Sequence, residues 1–457
     1  MKSDTRNSRN LQNSGPASRL KDTPESSQGS APSGSLWGWL RGLGGALLGR
    51  ETSTPELLAQ KPGKPAHQAT SRPDAPRSRQ QRPSHAERQA QSPPHRSQPT
   101  PPAIPFRMIS TDAELAEAVQ TFAPHPRIAL DTEADSLHCY FDKLCLIQIS
   151  IPDENFLIDP LAGISLDPLF KALEGKTVII HSADYDLRLL RRCQYTGPTV
   201  LFDTMIAARL CGATEFGLAA LLHQHFGVTL AKASQKANWA RRPLPPEMLH
   251  YAVNDTLNLL TLSQIQEARL RELGRYEWFE QMCLKAIRSA NVTRERDPDT
   301  LWRLSGYADL SPRGGAVLRS MWHWRDEEAQ SVDKPAFHIL GNDLLLEFSD
   351  QFDKGRIPDT RHLRGSRRTR LLQTAEEALL LPEDAWPKAI RKPRLRTTQE
   401  QEDRFKQLRK TRDSVGADLN LDPTIIASKA TLEQLSRNEA PAFEALMPWQ
   451  RQLLGLD

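Results

Sequence analysis

The sequence predicts an α/β domain over about residues 105–290, a mixed sheet flanked by helices, followed by two small all-α modules at about 300–380 and 400–457. Three observations carry that reading. Residues 1–104 are too polar, and too rich in Pro, Ser, Gln, Arg and Gly, to bury a core. From Phe106 onward, three early apolar runs on short connections give way to strands alternating with helices. Beyond about residue 300 the apolar residues recur at helical spacing.

The elements follow in chain order. The arm contains segments such as RPDAPRSRQQRPSHAERQAQSPPHRSQPTPP, whose burial cannot offset chain entropy, so it reads as disordered. One island interrupts it, where Trp37, Leu40, Leu43 and Leu47 share a helical face. That face suits a membrane-surface or partner-docking helix, but the glycines from Gly38 to Gly49 weaken any helix there. Order begins near Phe106. Thr111 and Glu114 are spaced as a capping box ahead of Leu115, Ala118 and Val119. Arg127 to Leu130 is an apolar run ending in Asp131; Leu144 to Ile151 and 155–158 are the next strands. Asp167 to Leu173 reads as helix, and Thr177 to Ile180 as a strand buried on both faces. A helix from about Asp184 to Cys193, a strand from Thr199 to Phe202, and helices at Asp203–Leu210 and Gly217–Phe226 come next. One long helix is expected from Pro245 to Leu270, with proline in its first turn. In the tail, helices are expected after Ser311-Pro312 and around 344–348, 374–379, 404–415, 423–426, 431–435 and 441–446.

Bulk properties exclude some classes. The 457 residues carry a formal charge of only +4, which by itself announces no nucleic-acid partner. The charge is uneven: residues 1–104 hold 15 Lys/Arg against 7 Asp/Glu, and KAIRKPRLR spans 388–396. Such runs serve as nucleic-acid footprints or as solvated linkers. Five cysteines without a CxxC pair suggest neither a disulfide framework nor a zinc knuckle. No apolar run approaches the roughly 18 residues of a membrane span, and the first residues lack a secretory core. A cytoplasmic protein without stable membrane insertion is the expectation.

Three acidic clusters stand out. Asp131 and Glu133 close the first strand two residues apart, so both leave the same face. Alone, a strand-end pair of this kind is more often a turn or surface feature. HSADYD, 181–186, follows a buried strand and opens a helix, where acids are favoured by the helix dipole. Asp184 and Asp186 compete there for a functional role. Tyr251 and Asp255 lie four apart in the long helix and share one face. A core tyrosine beside a surface acid is the ordinary reading of that pair. The three clusters together weigh more, because gathered carboxylates repel and resist desolvation, and hard cations such as Mg²⁺ or Mn²⁺ relieve that cost.

On these residues the chain resembles the DEDDy 3′→5′ exonucleases, the ribonuclease D family in particular. Asp131 and Glu133 match the first motif, Asp186 the second, and Tyr251 with Asp255 the third. YFDKLCLIQI at 140–149, FDT at 202–204 and NWARRPL at 238–244 extend the resemblance. The tail resembles two HRDC modules, and the arm has no counterpart. The resemblance implies a ribonuclease H-like fold and hydrolysis with two divalent cations, Mg²⁺ or Mn²⁺. It further implies that Asp131 bridges both, that Glu133 and Asp255 hold one, that Asp186 holds the other, and that Tyr251 orients the nucleophile. RNA with a free 3′ end, tRNA precursors above all, is the implied substrate, released as nucleoside 5′-monophosphates.

Tyr140 and Phe141 are candidates for stacking on terminal bases, or for core packing. Trp239, Arg241 and Arg242 are candidates for contacts to the nucleic-acid backbone, or for anchoring a loop. Arg313, Arg319 and Arg325 in the first helical module suit RNA binding, so deleting 300–457 is expected to weaken binding more than chemistry. Asp203 reads as a helix N-cap, and His181 as a packing or orienting residue. A DNA exonuclease of repair or proofreading would share the same acids, and matched RNA and DNA oligonucleotides separate the two. A non-catalytic RNA-binding scaffold is a second alternative, although no acid is missing, and a membrane-tethered adaptor acting through Trp37–Leu48 is a third, which liposome co-sedimentation tests.

Overall fold

The computed structural model describes residues 104–230, 234–292, 297–388 and 397–456. The Trp37–Leu48 island and most of the KAIRKPRLR run lie outside them.

Six strands make one mixed sheet: β1 (Arg107–Ile109), β2 (Arg127–Ala134), β3 (Leu144–Ile151), β4 (Glu154–Ile158), β5 (Thr177–Ile180) and β6 (Val200–Asp203). Their spatial order is β1-β4-β3-β2-β5-β6. β3 runs antiparallel to β2 and β4, while the remaining neighbours are parallel. Every residue of β3 is buried, as expected of an inner strand with both faces covered.

Helices cover the sheet: α1 (Asp112–Phe122), α2 (Asp167–Leu173), α3 (Asp184–Arg192), α4 (Thr204–Leu210) and α5 (Leu218–Phe226). The Thr111–Glu114 capping box forms at α1. The expected helix from Pro245 to Leu270 is instead two, α6 (Pro246–Leu257) and α7 (Leu259–Glu272), hinged at Asn258. Packing explains the break: α6 lies across β2, β3 and β4, whereas α7 turns toward β5 and α4. Asn258 is a weak helix former and tolerates the bend. The helix α8 (Tyr276–Asn291) then returns over α3 and β6.

A second core belongs to α9 (Pro298–Leu301), α10 (Pro312–Ser331), α11 (Ala336–Ile339), α12 (Asn342–Asp353) and α13 (Ser366–Leu379). It gathers Trp302, Leu318, Met321, Trp324, Phe348 and Leu371. The last helices, α14 (Gln399–Asp418), α15 (Pro423–Ile426), α16 (Lys429–Ser436), α17 (Ala440–Glu444) and α18 (Pro448–Leu454), behave differently. Ile426, Leu432 and Trp449 join the hydrophobic cluster of the sheet domain itself. Trp449 stacks on Trp278 of α8 at 4.7 Å, and Arg275 donates to the Leu419 carbonyl. No described helix is long and apolar enough to cross a membrane.

Candidate active site

The site grows from the carboxyl end of β2. Asp131 and Glu133 face the side of the sheet that α6 covers, where Ser150 of β3 bonds Thr256 of α6 at 2.7 Å. On that helix Tyr251 and Asp255 are one turn apart and point back at the strand. As a result, carboxylate oxygens of Asp131, Glu133 and Asp255 all lie within 4.8 Å of one another.

Asp186 enters from α3. Its carboxylate is 5 % exposed and accepts the Thr132 N–H at 3.1 Å and the Thr132 hydroxyl at 2.5 Å. Thr132 sits between the two strand acids, so the backbone that aims them also clamps Asp186. Asp184 points outward and forms a two-pronged pair with Arg188. The structure thus brings Asp186, not Asp184, to the cluster.

The turn before α3 is held from below. Ser182 has φ +65°, a strained value for a serine. The Asp203 carboxylate accepts the N–H groups of Ser182 and Ala183 while capping α4 through Met205 and Ile206. Asp203 is therefore an N-cap that also pins the turn carrying Asp186. His181 meets the Thr204 hydroxyl at 2.8 Å, an orienting contact on the same turn.

The electrostatics follow from burial. Desolvation, then the charges of Asp186, Asp255 and Glu133, push Asp131 well above the usual carboxylate range. Desolvation with Asp255 and Asp186 raises Glu133 to about 9. Asp255 rises to about 7, mainly by burial, although the Tyr251 hydroxyl bond opposes this. Asp186 rises to about 6 by burial, against the Thr132 hydrogen bonds. Tyr251 is raised by burial and by the charges of Asp255, Glu133 and Asp131, so its hydroxyl stays protonated. Groups that resist ionisation together want a cation. An all-oxygen donor set this close fits a hard divalent ion.

Several candidate nucleic-acid contacts are used elsewhere. Trp239 is only 1 % exposed and packs near the Tyr251 ring, at 6.0 Å between centroids. It buttresses the site's tyrosine and is shut away from substrate. Arg242 is fixed by Asp159 at 2.6 Å and by the carbonyls of Trp239 and Cys145. Tyr140 packs on the helical core and donates to Asp326 at 3.0 Å, so it joins two parts of the chain. Phe141, 57 % exposed, and Arg241 face solvent. In the first helical module Arg313 pairs with Asp353, Arg319 bonds the Ala385 carbonyl, and Arg325 is buried against Leu340 and Asn342. These three arginines hold the helices together.

The sequence description of the 3′-5′ exonuclease family matches residues 106–271, and that of the HRDC domain matches 315–352. The HRDC match falls in the first helical module, while the second is bonded into the catalytic core. Ribonuclease D of Gluconacetobacter diazotrophicus is 29 % identical over 76 % of this chain and 90 % of its own length. Ribonuclease D of Pseudomonas paraeruginosa is 28 % identical over 77 % and 96 %. The crystal structure of Escherichia coli RNase D, an exoribonuclease involved in structured RNA processing, is 26 % identical with a TM-score of 0.58, covering 77 % of this chain and 96 % of that one. A protein from Bifidobacterium adolescentis shares the fold at TM-score 0.65 and 24 % identity over 77 % of this chain and 95 % of that one. The chain is thus a 3′–5′ exoribonuclease, a hydrolase that uses divalent metal, similar to ribonuclease D over three quarters of its length and carrying an HRDC domain behind its exonuclease domain.

Proposed function

We propose that Asp131, Glu133, Asp186 and Asp255 hold two divalent cations, Mg²⁺ or Mn²⁺, and that Tyr251 orients the attacking water. On this reading the chain removes nucleoside 5′-monophosphates from the free 3′ end of RNA. The observation that carries it is the gathering of Asp131, Glu133 and Asp255 within 4.8 Å, with Asp186 electrostatically coupled to all three.

When bound, the cations would stabilise the attacking and the leaving oxygen of an in-line displacement. The chain's own residues do the rest. Asp131 stands centrally, coupled to the other three acids, which suits a shared ligand. Glu133 and Asp255 form one side and Asp186 the other. Thr132 fixes the Asp186 carboxylate by two hydrogen bonds to Oδ1, which leaves Oδ2 available to a cation. A phenol held protonated cannot take a proton from water, but it can fix water's orientation. Phe141 and Arg241, exposed on the same domain, are the candidates left for contacting the RNA strand.

The Escherichia coli relative acts in structured RNA processing. We carry that class over and propose tRNA precursors with 3′ extensions as the natural substrate. Digestion of matched 3′-labelled and 5′-labelled tRNA precursors with Mg²⁺, Mn²⁺ or chelator tests this. Immediate release of labelled 5′-mononucleotide from the 3′ end, and a shortening ladder from the 5′-labelled RNA, are expected. Internal cuts, or equal degradation in chelator, would refute it.

A further inference from the structure

One loop of the exonuclease domain leans on the HRDC domain. It spans 135–143, starting two residues after Glu133, and its root closes within the exonuclease domain. There the Asp135 carboxylate accepts the Lys143 N–H at 2.9 Å and pairs with the Lys143 ammonium at 2.7 Å. The tip reaches across. The Tyr140 hydroxyl donates to Asp326 of α10 at 3.0 Å, and its ring packs on the HRDC core. The N–H groups of Tyr140 and Phe141 both donate to one carboxylate oxygen of Asp333, at 3.0 and 3.1 Å. Asp333 breaks two local rules. It follows the end of α10 with φ +45°, where glycine is usual and asparagine next. Its charge also faces the negative end of the helix dipole. A residue kept against both costs calls for a reason, and the two loop N–H groups supply it.

Phe141 is the residue this contact governs. It is exposed, and it lies between the Asp333 bonds and Asp142, which Arg192 of α3 holds at 2.5 Å. Its ring meets the Tyr140 ring edge-on, at 4.9 Å between centroids. We propose that Asp333 of the HRDC domain is a positioning residue of the exonuclease: it fixes the loop tip so that Phe141 meets the RNA strand in one orientation. This rests on the reading of Phe141 as a contact to that strand. The HRDC domain thereby acts on substrate binding through the catalytic domain's own loop. A contact residue ordered in advance spares the entropy of ordering it on the substrate. Because the loop root closes within the exonuclease domain, the carboxylates that take the cation do not depend on these bonds.

Steady-state kinetics on 3′-labelled RNA in Mg²⁺, with thermal melts and Mn²⁺ calorimetry on the full-length chain, separate this role from plain domain docking. Asp333→Gly suits the left-handed backbone but offers no acceptor. It should melt close to wild type, since relieved strain offsets the lost bonds, and bind Mn²⁺ as wild type does. Its KM should rise roughly three- to tenfold with kcat little changed. Asp333→Asn keeps a side-chain acceptor and tolerates the same backbone, so it should recover most of the wild-type KM. Both variants remove the same charge, so a difference between them reports the hydrogen bonds alone. Phe141→Ala should raise KM as well, and adding Asp333→Gly to it should raise KM no further. A wild-type KM in Asp333→Gly, or an equal rise in Asp333→Asn, would overturn the proposal. A wild-type KM in Phe141→Ala would instead overturn the reading of Phe141 as a strand contact.

Discussion

At the residue scale, the four acids divide by what the sequence could show. Asp131 and Glu133 were readable because strand alternation fixes their common face, and Tyr251 and Asp255 because helical spacing does. The local pattern left Asp186 and Asp184 open, since both sit in the first turn of α3, and only the family resemblance chose Asp186. In the structure Thr132 clamps the Asp186 carboxylate, while Arg188 engages Asp184. Thr132 carried a readable signal, a hydroxyl between two acids. Asp131→Ala or Asp255→Ala should lower turnover by on the order of 10³-fold or more while circular dichroism stays unchanged. Tyr251→Phe should slow hydrolysis by roughly 10²-fold and leave Mn²⁺ affinity intact, which calorimetry checks. The raised acids also predict a pH dependence. With Asp186 near 6, Asp255 near 7 and Glu133 near 9, the metal-free fold binds more protons than the unfolded chain across that window. Its stability should fall as pH rises through the window, and cation binding must displace those protons. The gain in melting temperature from saturating Mg²⁺ should therefore be larger at about pH 8 than at about pH 6. Equal gains would contradict the assignment of the raised values to the cation ligands.

At the element scale, the apolar runs of β3, β4 and β5 and the capping box of α1 were legible, because each is a local pattern. The break at Asn258 was not, since it follows from two helices seeking different parts of the sheet. The burial of Trp239 was likewise hidden: NWARRPL reads as a polar loop, and only the packing against Tyr251 draws the indole inside. Asp203 was legible as a cap but not as the pin of the Ser182 turn. Asp203→Ala removes four accepted N–H bonds from α4 and that turn. A loss of about 2 kcal/mol or more in urea unfolding is expected, since a cap alone contributes about 1. Activity should fall further than stability, because the turn aims Asp186.

At the scale of the whole molecule, helical content beyond residue 300 was legible and its division was not. Apolar spacing shows which helix face is buried but not against what. Two modules were expected, yet the final helices complete the catalytic core through Trp449 on Trp278. Deleting 300–457 would thus strip that core as well as remove the HRDC domain. Trp449→Ala should cost about 3–5 kcal/mol in urea unfolding of the exonuclease domain, a test of this shared core. The HRDC domain is tied to the catalytic domain through the loop that follows Glu133. There Tyr140 donates to Asp326, and the Tyr140 and Phe141 N–H groups meet Asp333. The central claim remains the caging of cations by acids distant in the chain. Its most direct measurement is the rate of mononucleotide release from 3′-labelled RNA by folded wild-type and Asp131→Ala protein, with Mg²⁺ and with chelator. Rapid release by the wild type in Mg²⁺ alone is predicted. Release by Asp131→Ala at the wild-type rate, or wild-type release that survives chelation, would contradict it.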